Sequence, residues 1–265
     1  MKIYKISLMV IIMAGILFIG ASHPAQNFYK STVSMIGATN KSSELKDENE
    51  KDKNKKESYL ICIDPGHQLR GDGNSEPIGP GSPYTKARVS SGTVGISTKK
   101  PEYVLNLEAS SKLKHILVSK GFKVVMTREN HDVNISNLER AVFANNQKAN
   151  MVIRIHGDGS DDSSISGASI LVPAKSGKFT SGIFDDSKRC ADLIKNKMDN
   201  KDFEVNGIFE RDDLTGFNWS KVPVVLVEMG FMSNYNEDEM MSNPEYQEKM
   251  MQCIADGVEE YFKTN

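Results

Sequence analysis

The sequence predicts an α/β fold: an open, twisted, mostly parallel sheet with helices on both faces, in a single domain over residues 59–265. Three observations predict it. Short runs of branched apolar residues recur along this stretch, as buried strands require. Segments with apolar residues at helical spacing alternate with them. The length supports one good core and is short for two.

Tyr59–Ile63 (YLICI) reads as a buried strand that ends in a turn at Asp64-Pro65-Gly66. Residues 68–100 are rich in Gly, Ser, Pro and Thr and read as a long loop, of a length that is more often functional than idle. Pro101 suits the first position of a helix, and Val104, Leu105, Leu107, Leu113, Ile116 and Leu117 carry helical spacing to Gly121. Phe122–Thr127 is a second strand, Ile135–Lys148 a second helix and Met151–Ile155 a third strand. A strand over Ala168–Val172, a helix near Ser187–Met198, a strand over Val222–Val227 and a helix near Pro244–Phe262 complete the series.

The segment before residue 59 differs in kind. Lys2 and Lys5 precede Ile6–Ser22, an uncharged run of 17 residues, so residues 1–25 read as a signal peptide or a retained signal anchor. Residues 26–58 read as a flexible linker. Its later part is dominated by Lys, Glu, Asp and Asn, with Leu45 the one branched apolar residue from position 38 on. Either export reading places the domain outside the cytoplasmic membrane, in the cell wall or a spore envelope.

Composition excludes several classes. With 33 Lys+Arg against 35 Asp+Glu and a net charge of −2, nothing draws the chain to nucleic acid. Cys62, Cys190 and Cys253 are far apart, so neither a disulfide scaffold nor a C-x-x-C site is expected.

In an open parallel sheet, sites form beyond the carboxyl ends of the strands. His67 follows the first strand by one turn, His156 follows the third directly, Glu228 closes Val222–Val227, and Glu102 opens the helix after the long loop. Two imidazoles and two carboxylates thus share one rim. Two His and a carboxylate can bind zinc and leave a position for water, which zinc activates. A further carboxylate can move the protons, and Glu228, at the end of a buried strand, suits that role. Taken singly, each residue also has an ordinary structural reading, and the common rim is what raises them together. Glu108 rivals Glu102, but six residues on it is turned about 120° around the helix. His23, His115 and His131 lie off the rim.

These motifs resemble the zinc-dependent N-acetylmuramoyl-L-alanine amidases of bacterial cell walls. The resemblance rests on Asp64-Pro-Gly-His67, Glu102-Tyr-Val-Leu-Asn-Leu107, Val125-Met-Thr-Arg128, Leu138-Glu-Arg140 with Ala144-Asn145, Ile155-His156 and Val227-Glu-Met-Gly-Phe-Met-Ser-Asn234, in order over nearly all of residues 59–265. It implies Zn2+ as cofactor, His67, Glu102 and His156 as ligands and Glu228 as catalytic acid/base. It implies peptidoglycan as substrate, with room for an accessory activator protein of unknown identity. Gln68-Leu69 replaces the Gly-Gly common after the first His, and Gly157-Asp-Gly-Ser160 follows His156 where Ala-Asn is common, so the groove differs from that of many members. The short connection after Val172 has no room for the autoinhibitory helix of some relatives. The small single domain, the export segment and the missing wall-binding repeats are most similar to the sporulation- or germination-specific amidases of endospore formers, which act toward muramic-δ-lactam. Two other functions are compatible with this sequence: a non-catalytic peptidoglycan-binding or regulatory protein on the same fold, and a different envelope zinc hydrolase.

Overall fold

The computed structural model describes residues 59–264. The expected signal segment (1–25) and linker (26–58) lie outside the described residues. Strands β1 (Leu60–Pro65), β4 (Lys123–Met126), β5 (Met151–Asp158), β6 (Ala168–Pro173), β7 (Val205–Arg211) and β8 (Val224–Phe231) form one sheet in the order β4-β1-β5-β8-β6-β7. β4, β1, β5 and β8 run parallel, β6 runs antiparallel to β8, and β7 runs parallel to β6.

Alternation along the central strands supplies both faces with core. Ile61, Ile63, Ile153, Ile155, Val225 and Val227 pack on one side, against α1 (Glu102–Ser119), α3 (Ser181–Asp199) and α6 (Pro244–Lys263). Cys62, Val152, Val224 and Leu226 pack on the other, with Ala144 of α2 (Asn137–Asn146) and Phe217 of α4 (Thr215–Asn218). The start of α2 is written in its sequence. The Ser136 hydroxyl accepts the Glu139 N–H, and the Glu139 carboxylate accepts the Ser136 N–H, a reciprocal cap. The last two helices, α5 (Tyr235–Ser242) and α6, start from the capping side chains of Asn234 and Asn243.

The structure corrects the reading of residues 68–100 as a loop. They contain an antiparallel hairpin, β2 (Asp72–Pro77) and β3 (Thr85–Val89). Asp72-Gly-Asn-Ser-Glu-Pro77 is largely exposed and has no apolar alternation, so the strand signal was absent. The hairpin is docked by polar contacts. Glu76 is buried and accepts the Leu138 N–H at the start of α2, Arg88 pairs with Asp72 and Glu139, and Asn137 donates to the Arg88 carbonyl. β7, α4 and α5 are further elements the spacing did not announce, and β8 runs on to Phe231, so Glu228 lies within a strand rather than at its end.

Candidate active site

The parallel strands deliver their polar residues to one edge. At the end of β1 the chain turns through Asp64-Pro-Gly-His67, and His67 takes a left-handed conformation (φ 61°) uncommon for a side chain of its size. A cage of buried arginines holds that turn. Arg140 donates to the carbonyls of Pro65 (2.7 Å) and His67 (2.9 Å), and Arg128 to those of Pro65 (3.0 Å), Gly66 (2.8 Å) and Tyr103 (2.8 Å). Asp64, buried, accepts from Arg140 and from Arg154, each at 2.8 Å, and from Thr127. Burial alone would raise the Asp64 pKa, but these two guanidiniums and Thr127 hold it well below the usual carboxylate range. The sequence placed Asp64, Arg128 and Arg140 only within motifs, with no role of their own, and did not single out Arg154. The available signal was a charge flanked by isoleucines at Arg154 and an Asp closing an apolar run.

On this frame the structure brings His67, Glu102 and His156 together, with one donor atom from each lying within 4.8 Å of the others. His67 Nε2 is 3.0 Å and His156 Nδ1 is 3.3 Å from Glu102 Oε1. His67 Nδ1 is turned to the Ser90 carbonyl (3.0 Å) beyond the hairpin, which fixes the ring and leaves Nε2 facing the carboxylate. Glu102 sits in the first turn of α1. Its other oxygen accepts the Thr93 N–H, and Asn106 supports Oε1 from one turn on. Burial alone would raise its pKa, yet the hydrogen bonds from His156 and His67 hold it ionised. Burial drives His156 down to about 4, so its ring is neutral. Two glycines make the fit possible. A Cβ on Gly66 would run into the His156 ring, and one on Gly92 into Glu102 Oε2.

These donors suit a metal ion. Tetrahedral bonds of about 2.0–2.1 Å put neighbouring donor atoms roughly 3.3 Å apart, close to the 3.0 and 3.3 Å from the two imidazole nitrogens to Glu102 Oε1, and a neutral imidazole with an ionised carboxylate is the ligating form of each. Glu228 stands beside them. Its Oε2 is buried with no hydrogen-bond partner among the described residues, and burial, reinforced by the charges of Glu102 and Asp158, raises its pKa well above the ordinary value. The alternatives fall elsewhere. Glu108 is tied to Lys100 (2.6 Å), His115 is exposed, and His131 packs edge-on to the Tyr103 ring. His23 lies outside the described residues.

The family model for N-acetylmuramoyl-L-alanine amidases matches residues 61–260. The chain belongs to that family. The amidase is 27% identical over 217 residues to the N-acetylmuramoyl-L-alanine amidase Rv3717 of Mycobacterium tuberculosis, covering 77% of this chain and 87% of the relative. It is 25% identical to the probable cell wall amidase LytH of Staphylococcus saprophyticus, covering 89% of this chain and 75% of that one. Among solved structures, the N-acetylmuramyl-L-alanine amidase Ami1 of Mycobacterium smegmatis superposes with a TM-score of 0.70 at 25% identity, over 78% of this chain and 98% of the other. The amidase therefore shares fold and family with N-acetylmuramoyl-L-alanine amidases.

Proposed function

We propose that the amidase holds zinc between His67, Glu102 and His156 and, with Glu228 as acid/base, hydrolyses the amide between the lactyl group of N-acetylmuramic acid and L-alanine. The observation that carries this reading is the convergence, on one rim, of three ligand-type donors with a half-buried carboxylate whose Oε2 is buried without a hydrogen-bond partner among the described residues. Two imidazole nitrogens and a single carboxylate favour zinc over magnesium or calcium, which prefer oxygen. Bound there, zinc would supply a Lewis acid for the amide carbonyl and lower the pKa of water.

The chain's own residues do the rest. Ser90 keeps His67 in one ring orientation, and Asn106 and Thr93 keep Glu102 in place. Glu228 takes a proton from the attacking water. As the new C–O bond forms and the C–N bond breaks, it returns a proton to the departing alanine nitrogen, a role worth about 10²–10⁴-fold in rate. The products are a lactyl carboxylate on the glycan and a stem peptide with a free amino terminus. The raised pKa of Glu228 suits a group that must hold a proton between the two steps.

Residues 1–25 are assigned to export and 26–58 to the spacer between membrane or cleavage point and the catalytic domain, residues 59–265. The finer form of the reading assigns the activity to spore cortex. Its support is a single catalytic domain behind an export segment, and its check is the muramic-δ-lactam content of cortex from a strain lacking the protein. The function itself is tested by mass spectrometry of purified peptidoglycan after digestion. Free stem peptides support the amidase. Released acetate would make it a deacetylase, shortened stems a peptidase, and unchanged peptidoglycan a binding protein.

A further inference from the structure

The site does not open into one cleft but into two, meeting at His67, His156 and Glu228. The larger, about 510 Å³, is lined by Glu102, by small hydroxyl residues such as Thr93 and Ser233, and by Asp158 and Asp161. Among the described residues, no lysine or arginine lines it. The second, about 260 Å³, lies under the β2–β3 hairpin and carries Lys86, Arg154 and Arg211. Arg154 is committed to Asp64 and Asn137. Lys86 and Arg211 are not fully committed. Both bind the one carboxylate of Asp213, Arg211 through Nε at 2.7 Å and Nη2 at 2.9 Å and Lys86 at 3.0 Å, and Lys86 also donates to the Asp213 carbonyl, so two cations share one carboxylate and one positive charge is left over. All three side chains are more than 40% exposed, within reach of a bound molecule.

The two clefts thus differ in chemistry on either side of the same reacting centre. Carboxylates and hydroxyls suit sugar hydroxyl groups, which need acceptors and carry no charge. A guanidinium beside an ammonium suits a carboxylate. The glycan part of the substrate is neutral once its lactyl group is in amide linkage, and acidic groups belong to the stem. We propose that the two clefts read the two ends of the substrate: the glycan lies along Asp158, Asp161 and Ser233, and Arg211 with Lys86 binds a carboxylate on the stem residue that follows L-alanine. Arg211 and Lys86 are then specificity residues, and the amine leaves Glu228 toward the hairpin. This assignment rests on the amidase reading above.

The test uses two probes that differ in one group, N-acetylmuramoyl-L-alanyl-D-glutamic acid γ-methylamide, whose α-carboxylate is free, and its α-amide, whose stem residue has no carboxylate, with the full-length zinc-loaded protein. The acid should be cut with a kcat/KM roughly tenfold above that of the amide, the difference lying in KM, as loss of one charge-assisted contact would give. Arg211→Gln should bring the ratio near one, Arg211→Glu should invert it, and Arg211→Lys should keep most of it. Lys86→Gln, on a separate strand, should lower the ratio independently, which covers a misfolded Arg211 variant. Equal use of both probes by the wild-type protein, or a ratio that survives both Arg211→Gln and Lys86→Gln, overturns the assignment while leaving the amidase intact. Release of free N-acetylmuramic acid from neither probe overturns the amidase reading and this assignment with it.

Discussion

His156 on β5 and Glu228 on β8 are direct register partners across two adjacent parallel strands. A pair so placed is separated by one strand spacing, about 4.8 Å, and is carried by the most rigid part of the sheet. Asp64 and Arg154 stand in the same relation between β1 and β5, two residues earlier along β5. The sheet thus presents two polar rows, a structural ion pair just inside the rim and the chemically able pair upon it.

Replacing Glu228 by Gln keeps its size and removes its proton affinity. The variant should fold and bind metal normally while kcat falls by about 10²–10⁴-fold. Metal analysis beside turnover checks this. Loss of metal would instead make Glu228 a fourth ligand.

His67→Ala and His156→Ala should each lose metal, because three protein donors leave no redundancy. Glu102→Gln should weaken metal binding sharply and Glu108→Gln should not, since Glu108 faces Lys100 at the surface. Competition with a chelating dye measures all four. The opposite ranking of the two glutamates would contradict the placement of Glu102.

Gly66→Ala should impair metal binding even though it adds only a methyl group. The added Cβ meets the His156 ring, on the opposite strand, and either the ring or the Pro65–His67 turn must move. Circular dichroism should show the fold retained while zinc affinity drops at least about tenfold, as when ligand orientation is lost. Unchanged affinity would mean the turn yields freely, against the arginine cage described above.

Asp64→Asn should destabilise the protein by about 3–5 kcal/mol, because it leaves Arg140 and Arg154 short of a buried counter-charge. The pH dependence follows from the sign of the shift. Asp64 is held below its unfolded value of about 3.9, so its contribution is fully present above that pH and is lost as pH falls toward the folded value. Urea titrations of wild type from pH 6 down to pH 3 should show stability declining below about pH 4, with a smaller decline in Asp64→Asn.

The sequence made the fold class legible because the central strands are nearly continuous apolar runs; His67, His156 and Glu228 stood out because each follows such a run, and Glu102 because it opens the helix after the long loop. Much of the machinery that positions them did not stand out. Arg128 and Arg140 are ordinary polar residues in a strand end and an amphipathic helix until the fold buries them against the Pro65–His67 carbonyls. The β2–β3 hairpin is mostly exposed and joined by hydrogen bonds and ion pairs rather than apolar faces, so no hydrophobic period marks it. Its contribution, placing Ser90 on His67 and Lys86 in the second cleft, is a long-range contact that no local pattern encodes.

The central claim is that metal held by His67, Glu102 and His156 makes the protein an amidase. It is tested most directly by titrating zinc into chelator-treated protein while following release of stem peptides with free L-alanine amino termini from purified peptidoglycan. The account predicts no release without metal and recovery that saturates at one zinc per chain. Full release from the metal-free protein, or recovery that persists in His67→Ala and His156→Ala, would contradict it.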